Sequence, residues 1–513
     1  MTRNSAVLLA LTLATLAGCA KKEETCSSDL TLCDAGCTSL AMDAANCGAC
    51  GHACPAGESC AEGSCLCPSA TVCGGLCLDL ESDPNHCGSC DVACAANEVC
   101  TTSGGVTSCA SSCAAGQTSC KRACVDLDTN VRSCGACGRA CGTNERCAAG
   151  RCISDLYVAC YNSDEVREAT FALAAAGLPR AVAPGPMGLA WSGDLLAVAS
   201  SKRGFVENVS TFRFGPPRVR QKTIWEPSST GPDLEYLAEH DELLYVSHAS
   251  LGTLLILAPG GAVVDEVRFA APGALNPDPL GIAFDGNERA YLALSATGEV
   301  VVLDVSQALA CALGAHSRPC TKVLARVDLS ALASANAEPM PARIAVSGGR
   351  AFVSLSNLDA LFQAPAGSTG RLAAIRTDTL DLDADFAGTT TGVIDLGPDC
   401  LDASDVAVQG DRLYVSCGFF DYSSWPPVIQ GSGVVPVDLS GPVAQVLPKI
   451  EATDQQAPGK LAFCGSTGYV GDRNSGTVWA FDPAGATSLG AGVALCPLPS
   501  SGWTLVSDIA CGR

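Results

Sequence analysis

From residue 153 to the C-terminus, apolar residues alternate with small and polar ones in short runs broken by Gly, Asp, Ser and Asn. That period-2 texture predicts short strands separated by tight turns. The runs recur in a fixed order. Pro186-Met-Gly-Leu-Ala-Trp passes through a Gly-Asp turn into Leu-Leu-Ala-Val-Ala-Ser, and the same pair returns from Asp233, Pro279, Pro341, Ala403 and Pro458. Most copies continue through another turn into a third strand, such as those opening at Gly298, Gly433 and Gly476. Repeated strand–turn–strand units of this kind are the grammar of propeller blades. Ser507-Asp-Ile-Ala-Cys is a first strand with no second strand after it, and Ile153-Ser-Asp-Leu-Tyr-Val-Ala-Cys is a second strand with no first strand before it. Joined, the two halves complete a seventh blade and leave no open sheet edge. The pattern therefore predicts an all-β chain whose residues 153–513 form a seven-bladed β-propeller closed by a composite blade.

Ahead of this region the alternation stops and cysteine sets the pattern. Of 33 cysteines, 24 lie between Cys26 and Cys152, in three sets of eight over 26–65, 67–109 and 113–152. The interior spacing C-x3-C-x9-C-x2-C-x3-C-x5-C is the same in each set. It places CxxC pairs at Cys47/Cys50, Cys87/Cys90 and Cys134/Cys137, with a further cysteine at Cys54, Cys94 and Cys141. A module of about 40 residues cannot fold on buried apolar surface alone, so covalent staples are the expected remedy. In the chain-entropy model each closed loop contributes roughly 3 kcal/mol. Eight cysteines allow about 105 pairings, which leaves the connectivity open. Zinc clamps need thiolates kept reduced, which an exported chain does not provide. Haem attachment fails because Gly51, Asp91 and Gly138 follow the pairs where His is required. A thioredoxin-like redox role lacks its βαβ setting. The spacing resembles the CGxCGxxC repeats of myxobacterial-type secreted proteins and lipoproteins. That resemblance covers residues 26–152 and carries no implied ligand.

The N-terminus accounts for the compartment. Arg3 precedes the apolar run AVLLALTLATLAG, too short for a permanent span and shaped like an export signal. Leu16-Ala17-Gly18-Cys19 resembles the lipobox of bacterial lipoproteins. The resemblance implies a signal at 1–18, a diacylated Cys19 that anchors the chain in the membrane, and a short linker at 19–25. Ala20 in place of Asp implies the outer membrane, or the cell surface, in the same family. No other stretch reads as a membrane helix. Net charge is −22, with 31 basic residues and no Lys/Arg-rich run, which argues against nucleic acid as a partner.

In its blade grammar the C-terminal domain resembles the YncE-like and NHL-like seven-bladed propellers, a likeness of fold and not of function. By the alignment of its repeats, Cys311 and Cys320 close one loop, Cys400 meets Cys417, Cys160 meets Cys496, and Cys464 meets Cys511. The alternative of Cys160 with Cys511 and Cys464 with Cys496 fits as well. No GxSxG, HExxH or Walker motif is present, and the propeller holds only His240, His248 and His316. Asp381-Leu-Asp383-Ala-Asp385 opens like a calcium loop but has Phe386 where Gly is required. The segment with a binding look is Phe419-Phe420-Asp-Tyr422-Ser-Ser-Trp425, read as a loop flanked by a second insertion at Asn357–Gly370. Aromatic tips on a rigid scaffold suit a protein or glycan partner, and rings folded back over the blade edge are the plainer reading. The sequence expectation is thus a non-enzymatic, lipid-anchored surface protein without metal or cofactor, its cysteine modules a stalk or interaction array. The alternatives are a propeller lyase, lactonase or quinoprotein, or a metal-binding cysteine protein.

Overall fold

The computed structural model describes residues 31–33, 36–38, 40, 46–53, 59–61, 64–66, 72–73, 76–77, 80 and 83–513, apart from 104–105, 142–145, 149, 154–155, 193–194, 203–206, 214–218, 227–233, 271–274, 287, 335, 424–426, 453–455, 499–503 and 513. The chain forms two compact units, Met1–Leu78 and Asp79–Arg513. Cys19 and the expected signal lie outside the described residues.

In the first unit the described residues make short hairpins, Thr31–Cys33 with Gly36–Thr38, Ser59–Ala61 with Ser64–Leu66, and Val72–Cys73 with Leu76–Cys77. The CxxC segment is a turn built the same way in all three cysteine sets. The amides of Cys47, Cys87 and Cys134 donate to the carbonyls of His52, Val92 and Arg139 at 2.7, 2.8 and 2.8 Å. Gly48, Gly88 and Gly135 follow with φ of 74, 77 and 72°, which a side chain disfavours. A Cβ on Gly135 would also lie 2.3 Å from the Gly150 carbonyl oxygen. The third set is paired throughout: Cys113–Cys124, Cys120–Cys137, Cys134–Cys147 and Cys141–Cys152. Cys87–Cys100 and Cys94–Cys109 repeat the last two pairings in the second set, and Cys33–Cys50 repeats the second pairing in the first set. The two cysteines of Cys134/Cys137 are therefore bonded to different partners, and the pair is a brace instead of a redox dithiol. Cys47 and Cys90 are also disulfide-bonded, and Cys54 lies outside the described residues.

In the second unit seven sheets form blades, six of them four-stranded and one, blade 6, five-stranded with Ile450–Glu451 as its extra strand. Blade 1 runs Val506–Cys511, Leu156–Cys160, Glu165–Ala169, Ala175–Ala181 from inner to outer strand, so the two ends of the domain pair antiparallel in one sheet. Blades 2 to 7 open with inner strands Pro186–Ser192, Leu234–His240, Pro279–Asp285, Pro341–Ser347, Ala403–Gln409 and Pro458–Cys464. Each inner strand contacts the next and the last contacts the first, which closes the ring. Second strands such as Leu243–His248 are buried along their whole length because both faces pack on neighbouring blades. Seven apolar clusters fill the seven gaps between blades, among them Leu237 with Val246 between blades 2 and 3 and Trp479 with Tyr414 between blades 6 and 7. Each fully buried Leu or Val contributes roughly 1.5–3 kcal/mol, so the ring is held by its interblade cores.

Four disulfides reinforce it. Cys160–Cys496 and Cys400–Cys417 tie a second-strand end to the loop entering the same blade, in blades 1 and 6. Cys464–Cys511 joins the inner strands of blades 7 and 1, and Cys311–Cys320 closes a loop in blade 4. Asp383 caps the short helix Ala384–Ala387 by accepting from Phe386 N–H and pairs with Arg350 at 2.8 Å, which accounts for the residue at the centre of the calcium-like run.

Candidate active site

Each inner strand carries a bulge just after its first residue, where register against the second strand shifts. A bulge re-aims the side chain that follows it. The residues so placed are Asp508, Gly188, Tyr236, Gly281, Arg343, Asp405 and Lys460, one from each of blades 1 to 7. The next position is always aliphatic and packs between blades, which holds the bulged residue in place.

Lys460, Tyr236 and Arg343 come from blades 7, 3 and 5, which are not neighbours, yet they touch. The Lys460 ammonium lies 4.4 Å from the Tyr236 ring centroid and the Arg343 guanidinium 4.7 Å from the same centroid. Side chains from such blades meet only on the propeller axis, so the cluster spans the channel. Lys460 Nζ is 3.4 Å from Asp508 Oδ1 and 3.9 Å from Asp405 Oδ2. Each carboxylate is fixed by the blade beside it. Asp508 Oδ2 accepts Leu189 N–H at 2.7 Å, and Asp405 Oδ2 accepts Leu461 N–H at 2.9 Å. Both are buried, at 3% and 5% exposure.

Burial pushes the Asp508 carboxyl up, while Lys460 and the amides of Leu189 and Ile509 pull it back. Burial alone would lower the Lys460 ammonium, but Asp508, Tyr236 and Asp405 hold it above its ordinary value against Arg343. The charged half of the ring faces an open half. Gly188 and Gly281 flank Tyr236, and a Cβ on Gly281 would lie 2.8 Å from the Ala342 carbonyl oxygen and the Arg343 Cα. Glycine here lets the inner strand approach its neighbour closely, as at Gly188, where a Cβ would lie 2.8 Å from Leu237 Cβ. Arg343 has no carboxylate partner among the described residues, its contacts being the Tyr236 ring and a 3.4 Å bond to the Ala342 carbonyl. The ring thus offers an aromatic platform, a guanidinium without a carboxylate partner among the described residues, an ammonium, and two buried carboxylates.

The pattern reading singles out none of these residues, although the sequence carries their signal. In every copy a variable residue stands directly before an aliphatic-Ala pair, as in Gly-Lys-Leu-Ala and Ser-Asp-Ile-Ala. The residues it does single out are placed elsewhere. Phe419 and Phe420 are not in a loop but continue a long hairpin, pairing with Gln430 and Ile429. Phe419 is buried with Met340, Leu358, Ala364 and Leu401, so the hairpin packs against the neighbouring insertion. Phe420 stacks on Tyr422 and lies under the Arg473 guanidinium at 5.3 Å. Tyr422 is exposed, as are Leu361 and Phe362 of the insertion, and Trp425 lies outside the described residues. His248 is buried 3.0 Å from Glu207, whose other oxygen accepts Leu234 N–H, an interblade clamp. Among the described residues only Cys87/Cys94/Cys109 and Cys134/Cys141/Cys152 cluster closely enough to hold a metal ion, and all six sulfurs are committed to disulfides.

No protein-family description and no curated protein matches the chain. Solved structures resemble it in fold. A Lactobacillus plantarum protein is 16% identical, covering 70% of this chain and 99% of its own, at a TM-score of 0.49. The periplasmic gluconolactonase of Pseudomonas aeruginosa is 16% identical over 70% and 98%, at 0.46. A putative 6-phosphogluconolactonase of Bacteroides uniformis is 14% identical over 64% and 92%, at 0.45. The expectation of a non-enzymatic protein is corrected on these findings. Two of the resembling structures are named as lactonases, and the axis of this propeller carries converging charged and titratable groups.

Proposed function

We propose that the chain is an exported protein of the cell envelope whose propeller hydrolyses a lactone of a sugar acid at the axial ring. The observation that carries this reading is Lys460, held between Asp405 and Asp508 and meeting Tyr236 and Arg343 on the axis. The lactonases among the fold neighbours supply the substrate class, and the periplasmic one supports the compartment. In this reading the sugar ring stacks on Tyr236, and Arg343 and Lys460 hold the carbonyl oxygen as it becomes negative. Asp508 takes a proton from the attacking water. That proton returns to the ring oxygen as the ring C–O bond breaks, giving the hydroxy acid.

Incubation of the purified full chain with glucono-δ-lactone, followed by residual-lactone assay, tests it. We expect turnover above the spontaneous rate, and a fall in kcat/KM of about 10²–10³ for Lys460→Met or Asp508→Asn in variants that keep the wild-type circular dichroism. Wild-type protein that leaves every lactone in a sugar-acid panel at its spontaneous rate sinks the proposal. Among the described residues no helix is long and apolar enough to cross a membrane. The lipobox-like Leu16-Ala17-Gly18-Cys19 supports attachment through a lipid at Cys19, with the outer membrane as its address; Cys19→Ser should release the protein from the membrane fraction, and a variant that stays refutes the anchor. A second role in binding a surface protein or glycan is supported by Leu361, Phe362 and Tyr422, exposed at 77%, 67% and 60%. Crosslinked capture unchanged by Phe362→Ser with Tyr422→Ser would discard it.

A further inference from the structure

We propose that the hairpin of blade 6 extends the axial site into a subsite for a second, uncharged sugar, so that the substrate is a lactone at the end of a short neutral oligosaccharide. The lactone end rests on the function proposed above, and the second sugar on the hairpin alone. Strand register places ring and hairpin at one mouth of the channel. Pro341 pairs with Leu355, Ala403 with Cys417 and Pro458 with Asp472, so each inner strand begins where its second strand ends. Arg343, Asp405 and Lys460 follow just inside those starts. From the same end of blade 6 the hairpin continues, with Phe419, Phe420 and Asp421 pairing with Gln430, Ile429 and Val428. It therefore rises at the mouth between blades 5 and 7, on the side of the charged half of the ring.

The two faces of the hairpin look toward different blades. Phe419 packs on Met340 and Leu358 of blade 5. Phe420 turns the other way, toward Arg473 at the end of the second strand of blade 7. Arg473 joins hairpin to ring. Its guanidinium donates to the Gly418 carbonyl at the hairpin's root and pairs with Asp402 at 3.0 Å. Its aliphatic stem covers Gly459, where a Cβ would lie 2.5 Å from Arg473 Cγ, and the next residue is Lys460. The root itself is fixed, since Gly418 N–H donates to Leu401 O at 2.8 Å and a Cβ on Gly431 would lie 2.7 Å from Leu401 N. A platform held in this way loses little freedom when it binds. Phe420 and Tyr422 stack with centroids 6.2 Å apart and planes 22° off parallel, and Tyr422 is exposed. Beside them Gln430 Nε2 donates to Asp421 Oδ2 at 2.8 Å at the surface. Aromatic faces bordered by an amide and a carboxylate match a pyranose, whose C–H face is apolar and whose rim carries hydroxyls. The carboxylate at the border and the net charge of −22 disfavour an acidic sugar.

Two measurements on the purified full chain test it: kinetics with glucono-δ-lactone and cellobiono-δ-lactone, and calorimetric titration with cellobiose. We expect kcat/KM about tenfold higher for the disaccharide lactone. Tyr422→Ser should bring the two values together by raising KM for the disaccharide lactone with its kcat held, and Tyr422→Trp should restore the difference. Cellobiose should bind the wild-type protein about tenfold more tightly than it binds Tyr422→Ser. Glucono-δ-lactone turnover with no preference for the disaccharide lactone, or with a preference that Tyr422→Ser leaves unmoved, overturns the subsite while the lactonase reading stands. Turnover of neither lactone, with cellobiose binding that depends on Tyr422, sinks the lactonase reading and upholds the sugar subsite. Turnover of neither, with no such binding, overturns both.

Discussion

At Asp472 the chain buries a carboxyl and surrounds it with donors. Ala457 N–H and Asn474 N–H each donate to Oδ1 at 3.0 Å, and the Ser475 hydroxyl donates to Oδ2. Burial outweighs these donors and pushes the carboxyl above its ordinary value. A group whose pKa is raised on folding binds its proton more tightly in the folded state. The stability it contributes is complete below the unfolded value, near 3.9, and is lost as pH rises through the folded value. Exposed carboxylates such as Asp378 and Asp438 act in the opposite sense, because their hydrogen bonds lower them, and their losses therefore fall below that window. The melting temperature should fall as pH rises from about 4 through the raised value, and Asp472→Asn should flatten part of the fall. Differential scanning calorimetry across that range checks it, and identical slopes for the two proteins would refute the role given to Asp472.

Among the elements, the closing blade carries the greatest burden. Its inner strand Val506–Cys511 is the last of the chain and pairs with Leu156–Cys160 from the start of the domain. Two disulfides hold it there, Cys160–Cys496 across a separation of 336 residues and Cys464–Cys511 across 47. Loop-closure entropy makes the longer staple worth upward of about 5 kcal/mol, against roughly 3 kcal/mol or less for the nine-residue span of Cys311–Cys320. Cys160→Ser with Cys496→Ser should therefore lower the thermal midpoint more than Cys311→Ser with Cys320→Ser, a ranking that scanning calorimetry without reductant settles. The blades themselves are legible from sequence because alternation, turn glycines and repeat length all report local backbone. The bulge is less legible. It is a two-against-one pairing between strands, and a single-strand pattern does not record it. For that reason the pattern predicts strands over Ala403–Gln409 and Pro458–Cys464 but gives no sign that Asp405 and Lys460 meet on the axis. The hairpin at Phe419 misleads for a related reason: its aromatics suggest a displayed loop, whereas one of them fills a gap beside Met340 and Leu358.

Across the whole molecule two ways of stabilising a fold share one chain. The propeller keeps seven apolar clusters between its blades, with side chains as large as Trp479 and Tyr157 wholly buried. In the modules the buried clusters are cystine. Cys87, Cys94 and Cys100 pack with Cys109, and Cys134, Cys147 and Cys152 pack with Cys141. There the covalent brace and the core are the same atoms, so reduction removes both together. In the propeller, reduction removes braces and leaves the apolar clusters in place. Mild reduction should accordingly unfold the cysteine modules at a reductant concentration that leaves the propeller folded. Limited proteolysis with alkylation of freed thiols reads this directly. Cleavage should concentrate within residues 26–152 and yield a resistant fragment beginning near residue 153, with the tryptophan fluorescence of the folded propeller retained. All five tryptophans lie beyond residue 152, so that signal reports the propeller alone. Simultaneous loss of the fragment and of the folded fluorescence would mean that the propeller too depends on its disulfides, and that its interblade cores are weaker than their burial implies.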